Sequence, residues 1–133
     1  MFEIPKIIEN NPSHDRAREV LVSEGSVLDV GCGGGIAAFA LVPHVNKVIG
    51  VDHQQEMLEM FSKNAERYGV SHKEVLGFWP EVSEQVPRVD VVVSHHVAYN
   101  VPNIEEFLIA LNDKANKRVV IELPTRHPLS NLN

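Results

Sequence analysis

The segment Val27-Leu28-Asp29-Val30-Gly31-Cys32-Gly33-Gly34-Gly35 constrains this chain more than any other. An apolar run of strand type ends in four glycines within five positions, immediately before a helical pattern. Glycine at that density marks a turn whose backbone enters positive φ or passes close to a group that leaves no room for a Cβ. In an open parallel sheet, such a turn sits at the carboxyl end of the first strand, where the strand order reverses and ligands bind.

The remaining residues supply the sheet. Residues 26–30, 47–51, 89–94 and 118–123 are rich in Val, Ile and Leu, as strands covered on both faces are, and a weaker strand spans 74–76. Helical patterns alternate with them. One runs from Gly35 to Val42 and must stop before Pro43. A second, over 54–68, places Met57, Leu58, Phe61, Ala65 and Tyr68 on one stripe and ends at Gly69 as its C-cap. Asn103 caps a third, in which Ile104, Phe107, Leu108, Leu111 and Ala115 recur at helical spacing. Upstream, Ser13 is placed to cap a leading helix over 14–23. This alternation predicts an α/β fold with a mostly parallel sheet of about five strands and helices on both faces. Residues 1–133 read as one domain, with a helical lead over 1–25, a core over 26–123 and a tail over 124–133.

A second strand, Val48-Ile49-Gly50-Val51-Asp52, ends in a carboxylate 21 positions after Gly31. That is near the spacing of about 20 at which an acidic residue meets a ribose diol. One carboxylate can accept hydrogen bonds from both hydroxyls. The dinucleotide fingerprint starting at Gly31 would require glycine at position 36, which is Ile36, so a nicotinamide-dependent oxidoreductase is disfavoured.

The pattern present, Asp29-x-Gly31-x-Gly33-x-Gly35, resembles motif I of the class I S-adenosylmethionine-dependent methyltransferases. Val51-Asp52-His53-Gln54-Gln55-Glu56-Met57-Leu58 is similar to the segment that follows it in that family. Residues 89–97 resemble the family's fourth-strand segment and residues 117–123 its fifth strand, so the likeness covers about residues 14–123. More narrowly, the stretch from Phe78-Trp79-Pro80 through Ser94-His95-His96-Val97-Ala98-Tyr99-Asn100-Val101 is similar to a bacterial methyltransferase-like subgroup. The resemblance implies a Rossmann-like, doubly wound sheet with strand order 3-2-1-4-5, S-adenosylmethionine as cofactor and S-adenosylhomocysteine as product. It also implies that Gly31, Cys32, Gly33 and Gly35 line the methionine and ribose part, that Asp29 anchors the amino end or the loop, and that Asp52 binds the ribose hydroxyls. His53 and Met57 would flank the adenine. Where many members carry an acidic residue after the third strand, this chain has Gly77-Phe78-Trp79-Pro80, whose aromatic pair is expected near the purine instead.

Catalytic candidates lie after the fourth strand, where Ser94-His95-His96 would emerge beside the transferred methyl group. Adjacent strand residues face opposite sides, so at most one of His95 and His96 is expected to face the site, as general base or to orient the loop or cofactor. Ser94 is expected at the cofactor, with Tyr99 and Asn100 as weaker candidates for the acceptor side. The other histidines lack metal-ligand spacing, so no metal is expected. Cys32 reads as a small residue filling the turn, because no base is placed beside it.

Composition narrows the partners. With 18 acidic and 12 basic side chains the net charge is -6, which disfavours nucleic acid and favours a small-molecule acceptor. No apolar run approaches the roughly 20 residues of a membrane-spanning helix, and a single cysteine suits the cytoplasm. The family's C-terminal β-hairpin is not legible after Leu123, so the fifth strand is expected at an open edge, and the expectation is either a fragment of a longer protein or a homodimer that covers that edge. The same absence supports an alternative reading, a non-catalytic cofactor-binding or interaction module.

Overall fold

The computed structural model describes residues 25–40, 45–95 and 103–122. The expected leading helix, the last turn of the helix before Pro43 and the tail lie outside the described residues, as do His96, Tyr99 and Asn100.

Five strands form one sheet: β1 (Gly25–Val30), β2 (Val45–Asp52), β3 (Ser71–Leu76), β4 (Val89–His95) and β5 (Ala115–Glu122). Their order is β3-β2-β1-β4-β5 and every pair is parallel, as expected. Among the described residues, three α-helices accompany them, α1 (Ile36–Phe39), α2 (Gln55–Tyr68) and α3 (Ile104–Lys114), with a 3-10 turn at Ser83–Gln85.

Strand alternation divides the apolar side chains between two cores. Val27, Val48, Val91, Val93 and Val120 face α1 and α2, where they meet Ala38, Phe39, Leu58, Phe61 and Ala65. Their neighbours Leu28, Ile49, Val92, Val119 and Ile121 face α3 and pack on Phe107, Leu108 and Leu111. A residue-by-residue switch of face is the geometry of a pleated strand, and it explains why these runs are continuously apolar.

Strand ends shift by up to three residues from the sequence expectation, and two of the shifts have a clear cause. β3 begins at Ser71 rather than residue 74, because an end strand pairs on one side only and carries solvent-facing polar residues such as Ser71 and Lys73 without penalty. Ala115, expected on the stripe of the third helix, is instead the first residue of β5 and pairs with Val89. Alanine favours helix, but its burial against β4 and α3 overrides that preference. The caps agree: Gly69 ends α2 with φ 71°, and Asn103 accepts the Glu106 N–H at 3.1 Å at the start of α3.

The topology leaves a crevice at the carboxyl ends of the strands. From β1 the chain winds outward through β2 to β3, then returns to place β4 on the other side of β1. At the base of that reversal the Ser94 hydroxyl donates to the Val30 carbonyl at 3.3 Å, tying the end of β4 to the end of β1. At the opposite end, Asp90 accepts the Ser26 N–H at 3.0 Å, continuing the pairing by side chain where the ladder stops.

Candidate functional site

Three glycines of the turn after β1 hold positive φ: Gly31 at 73°, Gly33 at 53° and Gly35 at 88°. The turn is seated on β2, since the Val51 carbonyl accepts both Gly31 N–H at 2.7 Å and Cys32 N–H at 3.0 Å. It is also packed under α2. A Cβ on Gly35 would come within 2.3 Å of the Phe39 ring and 2.8 Å of Phe61, and one on Gly34 within 2.7 Å of Met60 Sδ. Gly33 is different, with Met57 Sδ its nearest neighbour at 3.9 Å, so its outward side is open.

Asp52 gathers the loops at this end of the sheet. Its Oδ2 accepts the Gly33 N–H at 3.0 Å, its Oδ1 the Gln54 N–H at 2.9 Å, and its backbone carbonyl the Gly77 N–H at 3.0 Å. Each carboxylate oxygen keeps a second acceptor direction, and the residue is 8% exposed at the surface of the crevice. His53 stacks on Phe78, centroids 4.8 Å apart at 16°, and Phe78 is 60% exposed. Together with the exposed Leu76, they form an apolar and aromatic shelf beside Asp52.

Asp29 lies beneath the turn, buried, with Oδ2 lacking any hydrogen-bond partner among the described residues. Burial pushes its carboxyl up to about 7; the Ala38 N–H bonded to it opposes that shift, and the nearby charge of Asp52 adds to it. An orphaned carboxyl oxygen in an apolar surrounding is costly unless something cationic completes it.

Other expected site residues sit differently. Trp79 is 7% exposed in the core on the α3 side, so Phe78 alone of the aromatic pair presents a free face to the crevice. Cys32 points into the opposite core, where its Sγ fills the space that a Cβ on Gly50 would need. Burial, and then the charges of Asp29 and Asp52, push the Cys32 thiol up, which keeps it protonated. Ser94 is fully buried and meets Val30 rather than the crevice. His95 closes β4, and His96 lies outside the described residues. Asn64, which the helical stripe of α2 did not single out, donates from Nδ2 to the Gly34 carbonyl at 2.8 Å. The available signal was a poor helix former in mid-helix, seven positions after Met57.

An open depression of about 290 Å³ lies between α2 and β3, lined by Gln55, Leu58, Glu59, Ser62, Glu74 and Leu76, and flanks the site rather than containing it. Among the described residues, no group of three or more His, Cys, Asp or Glu is placed to hold a metal ion. No helix among them is long and apolar enough to cross a membrane.

Residues 27–114 match the methyltransferase-domain family, so the chain belongs to the class I S-adenosylmethionine-dependent methyltransferases. It is 37% identical over 71 residues to a probable cobalt-precorrin-6B C(15)-methyltransferase of Pyrobaculum calidifontis, covering 50% of this chain and 36% of that protein. Over 74 residues it is 39% identical to the ribosomal protein L11 methyltransferase of Photobacterium profundum, covering 55% of this chain and 25% of that protein. An rRNA methylase from Streptococcus thermophilus has the same fold, with a TM-score of 0.72 at 20% identity over 91% of this chain and 78% of its own. The chain spans between 25% and 41% of the length of the curated relatives it matches.

S-adenosylmethionine is the cofactor of that family, and the residues present fit it. A ligand carrying an ammonium and a sulfonium suits a crevice with the Asp52 carboxylate at its surface and the Asp29 carboxyl buried beneath its glycine turn. The orphaned Asp29 oxygen matches a cationic group, the Asp52 oxygens a diol, and the exposed Phe78–His53 pair a flat purine.

Proposed function

We propose that this chain binds S-adenosylmethionine at the crevice around Gly33 and Asp52 and transfers its methyl group to a small-molecule acceptor in the cytoplasm. The carrying observation is the Asp52 carboxylate, held by the Gly33 and Gln54 N–H groups with one acceptor direction free on each oxygen. When bound, the cofactor supplies an electrophilic methyl group for in-line displacement and leaves as S-adenosylhomocysteine. The protein's part is alignment. Asp29 holds the cationic amino end, Asp52 the ribose hydroxyls, and Phe78 with His53 the adenine. One of His95 and His96 is the group assigned to take a proton from the acceptor, or to orient the loop or cofactor.

A net charge of -6 supports a small acceptor over a nucleic acid, and the single cysteine supports a reducing compartment. Calorimetric titration with S-adenosylhomocysteine tests the binding reading, and absence of heat at millimolar ligand overturns it. Methyl transfer to a panel of small molecules, ribosomal protein and RNA then tests the acceptor class. Binding without turnover on any of them would instead favour a non-catalytic cofactor-binding module.

A further inference from the structure

Two side chains from different elements grip the glycine turn. Asp52 takes the N–H of Gly33 at 3.0 Å, and Asn64 of α2 gives its amide Nδ2–H to the carbonyl of Gly34 at 2.8 Å. Between those anchored peptides lie only the φ and ψ of Gly33 and Gly34, torsions that no Cβ restricts. Free glycines at the open side of the crevice would sample many conformations, and a ligand would bear the entropy of selecting one. Asn64 is half-buried in the middle of α2, where asparagine is among the weaker helix formers, so helix formation does not explain its place. Around it, Met57 lies against Gly33 and Met60 against Gly34, leaving the Gly34 carbonyl turned toward the helix.

We infer that Asn64 is a positioning residue: its amide donor holds the Gly33–Gly34 segment in the form that receives the cofactor's ribose and methionine part. This rests on the reading of the crevice as the cofactor site. The role belongs to the donor and not to the volume of the side chain, which separates it from simple packing. Asn64→Asp keeps the shape but puts a carboxylate against a carbonyl, whereas Asn64→Ala leaves that carbonyl to water.

The test is titration of wild type, Asn64→Ala and Asn64→Asp with S-adenosylhomocysteine at neutral pH, alongside amide exchange of Gly33 measured by NMR in the unliganded proteins. Alanine is the better helix former, so α2 is expected to persist, and far-UV dichroism verifies it. Asn64→Ala is expected to weaken binding about three- to ten-fold, the worth of one net hydrogen bond, and Asn64→Asp to weaken it further. Gly33 exchange should accelerate in both. Binding by both variants within about two-fold of wild type, or weaker binding by Asn64→Ala than by Asn64→Asp, overturns the inference. If wild type itself does not bind, the cofactor reading fails. The exchange arm still decides the positioning role, because unchanged Gly33 exchange in the variants removes it.

Discussion

The Gly33 backbone N–H donates to Asp52 Oδ2 at 3.0 Å, so the carboxylate suited to a ribose diol also holds the turn that the cofactor would approach. Binding group and loop support are one side chain. Replacing it therefore disturbs affinity and local order together. In Asp52→Ala, the Gly33 and Gln54 N–H groups lose their acceptor, at about 1–3 kcal/mol for each that water cannot reach. S-adenosylhomocysteine affinity is expected to fall by more than about ten-fold, the equivalent of ~1.4 kcal/mol. Asp52→Asn, which keeps one acceptor oxygen, is expected between the two. Calorimetry and thermal melts measure both effects, and wild-type affinity in Asp52→Ala would contradict the assignment.

The turn's glycines are not equivalent. A Cβ at Gly35 meets the Phe39 ring at 2.3 Å with φ +88°, while one at Gly33 meets nothing nearer than Met57 Sδ at 3.9 Å with φ +53°. Gly33→Ala is expected to lose about 1–2 kcal/mol, the ordinary left-handed penalty. For Gly35→Ala the expected loss exceeds about 3 kcal/mol, because overpacking adds to the same strain. Urea denaturation of the two variants checks the order, and equal losses would refute it.

Asp29 ties stability to pH. Burial first, opposed by the Ala38 N–H and reinforced by Asp52, raises its carboxyl to about 7 from the ordinary 3.8. Between those values the folded state keeps a proton that the unfolded chain releases, so this group makes stability fall as pH rises from about 4 to about 7 and then level off. At ~1.4 kcal/mol per pH unit, the upper limit is about 4 kcal/mol. Asp29→Asn has no proton to lose and is expected to gain on wild type in denaturant melts between about pH 5 and about pH 8. A cationic amino group placed at Asp29 favours the carboxylate. S-adenosylhomocysteine binding near pH 6 should therefore release a proton, visible as a dependence of the heat on the buffer's ionisation enthalpy.

Neighbouring aromatics are expected to respond in opposite ways. Phe78 is 60% exposed and stacked on His53, whereas Trp79 is 7% exposed in the core with Val75, Val82 and Val86. Phe78→Ala should weaken S-adenosylhomocysteine by roughly 1 kcal/mol, about the worth of an aromatic stacking contact, and leave the melting temperature nearly unchanged. Trp79→Ala should lose about 3–5 kcal/mol of stability as a core truncation. A stability loss confined to the Phe78 variant would reverse the assignment.

The sequence by itself determined the strands and the helices that cover them, because strands buried on both faces are mostly apolar and alternate with helical patterns, while the order of the strands followed from the family resemblance. It also determined where the crevice lies, since Gly31 to Gly35 and Asp52 end consecutive strands at the same edge. β3 was legible only in its last residues, because an end strand tolerates Ser71, His72 and Lys73, which carry no periodic signal. Tertiary structure decided which side chains reach the crevice. The turn after β1 directs Cys32 into the α2-side core, β4 buries Ser94 against Val30, and the loop after β3 encloses Trp79 while Phe78 stays outside. Pairing with Val89 converts Ala115 from helix to strand. Asn64 meets Gly34 only because α2 folds back across the turn 30 residues upstream. Periodicity reports the environment each element demands of its own residues; a contact between distant residues exists only once packing sets the distance between them.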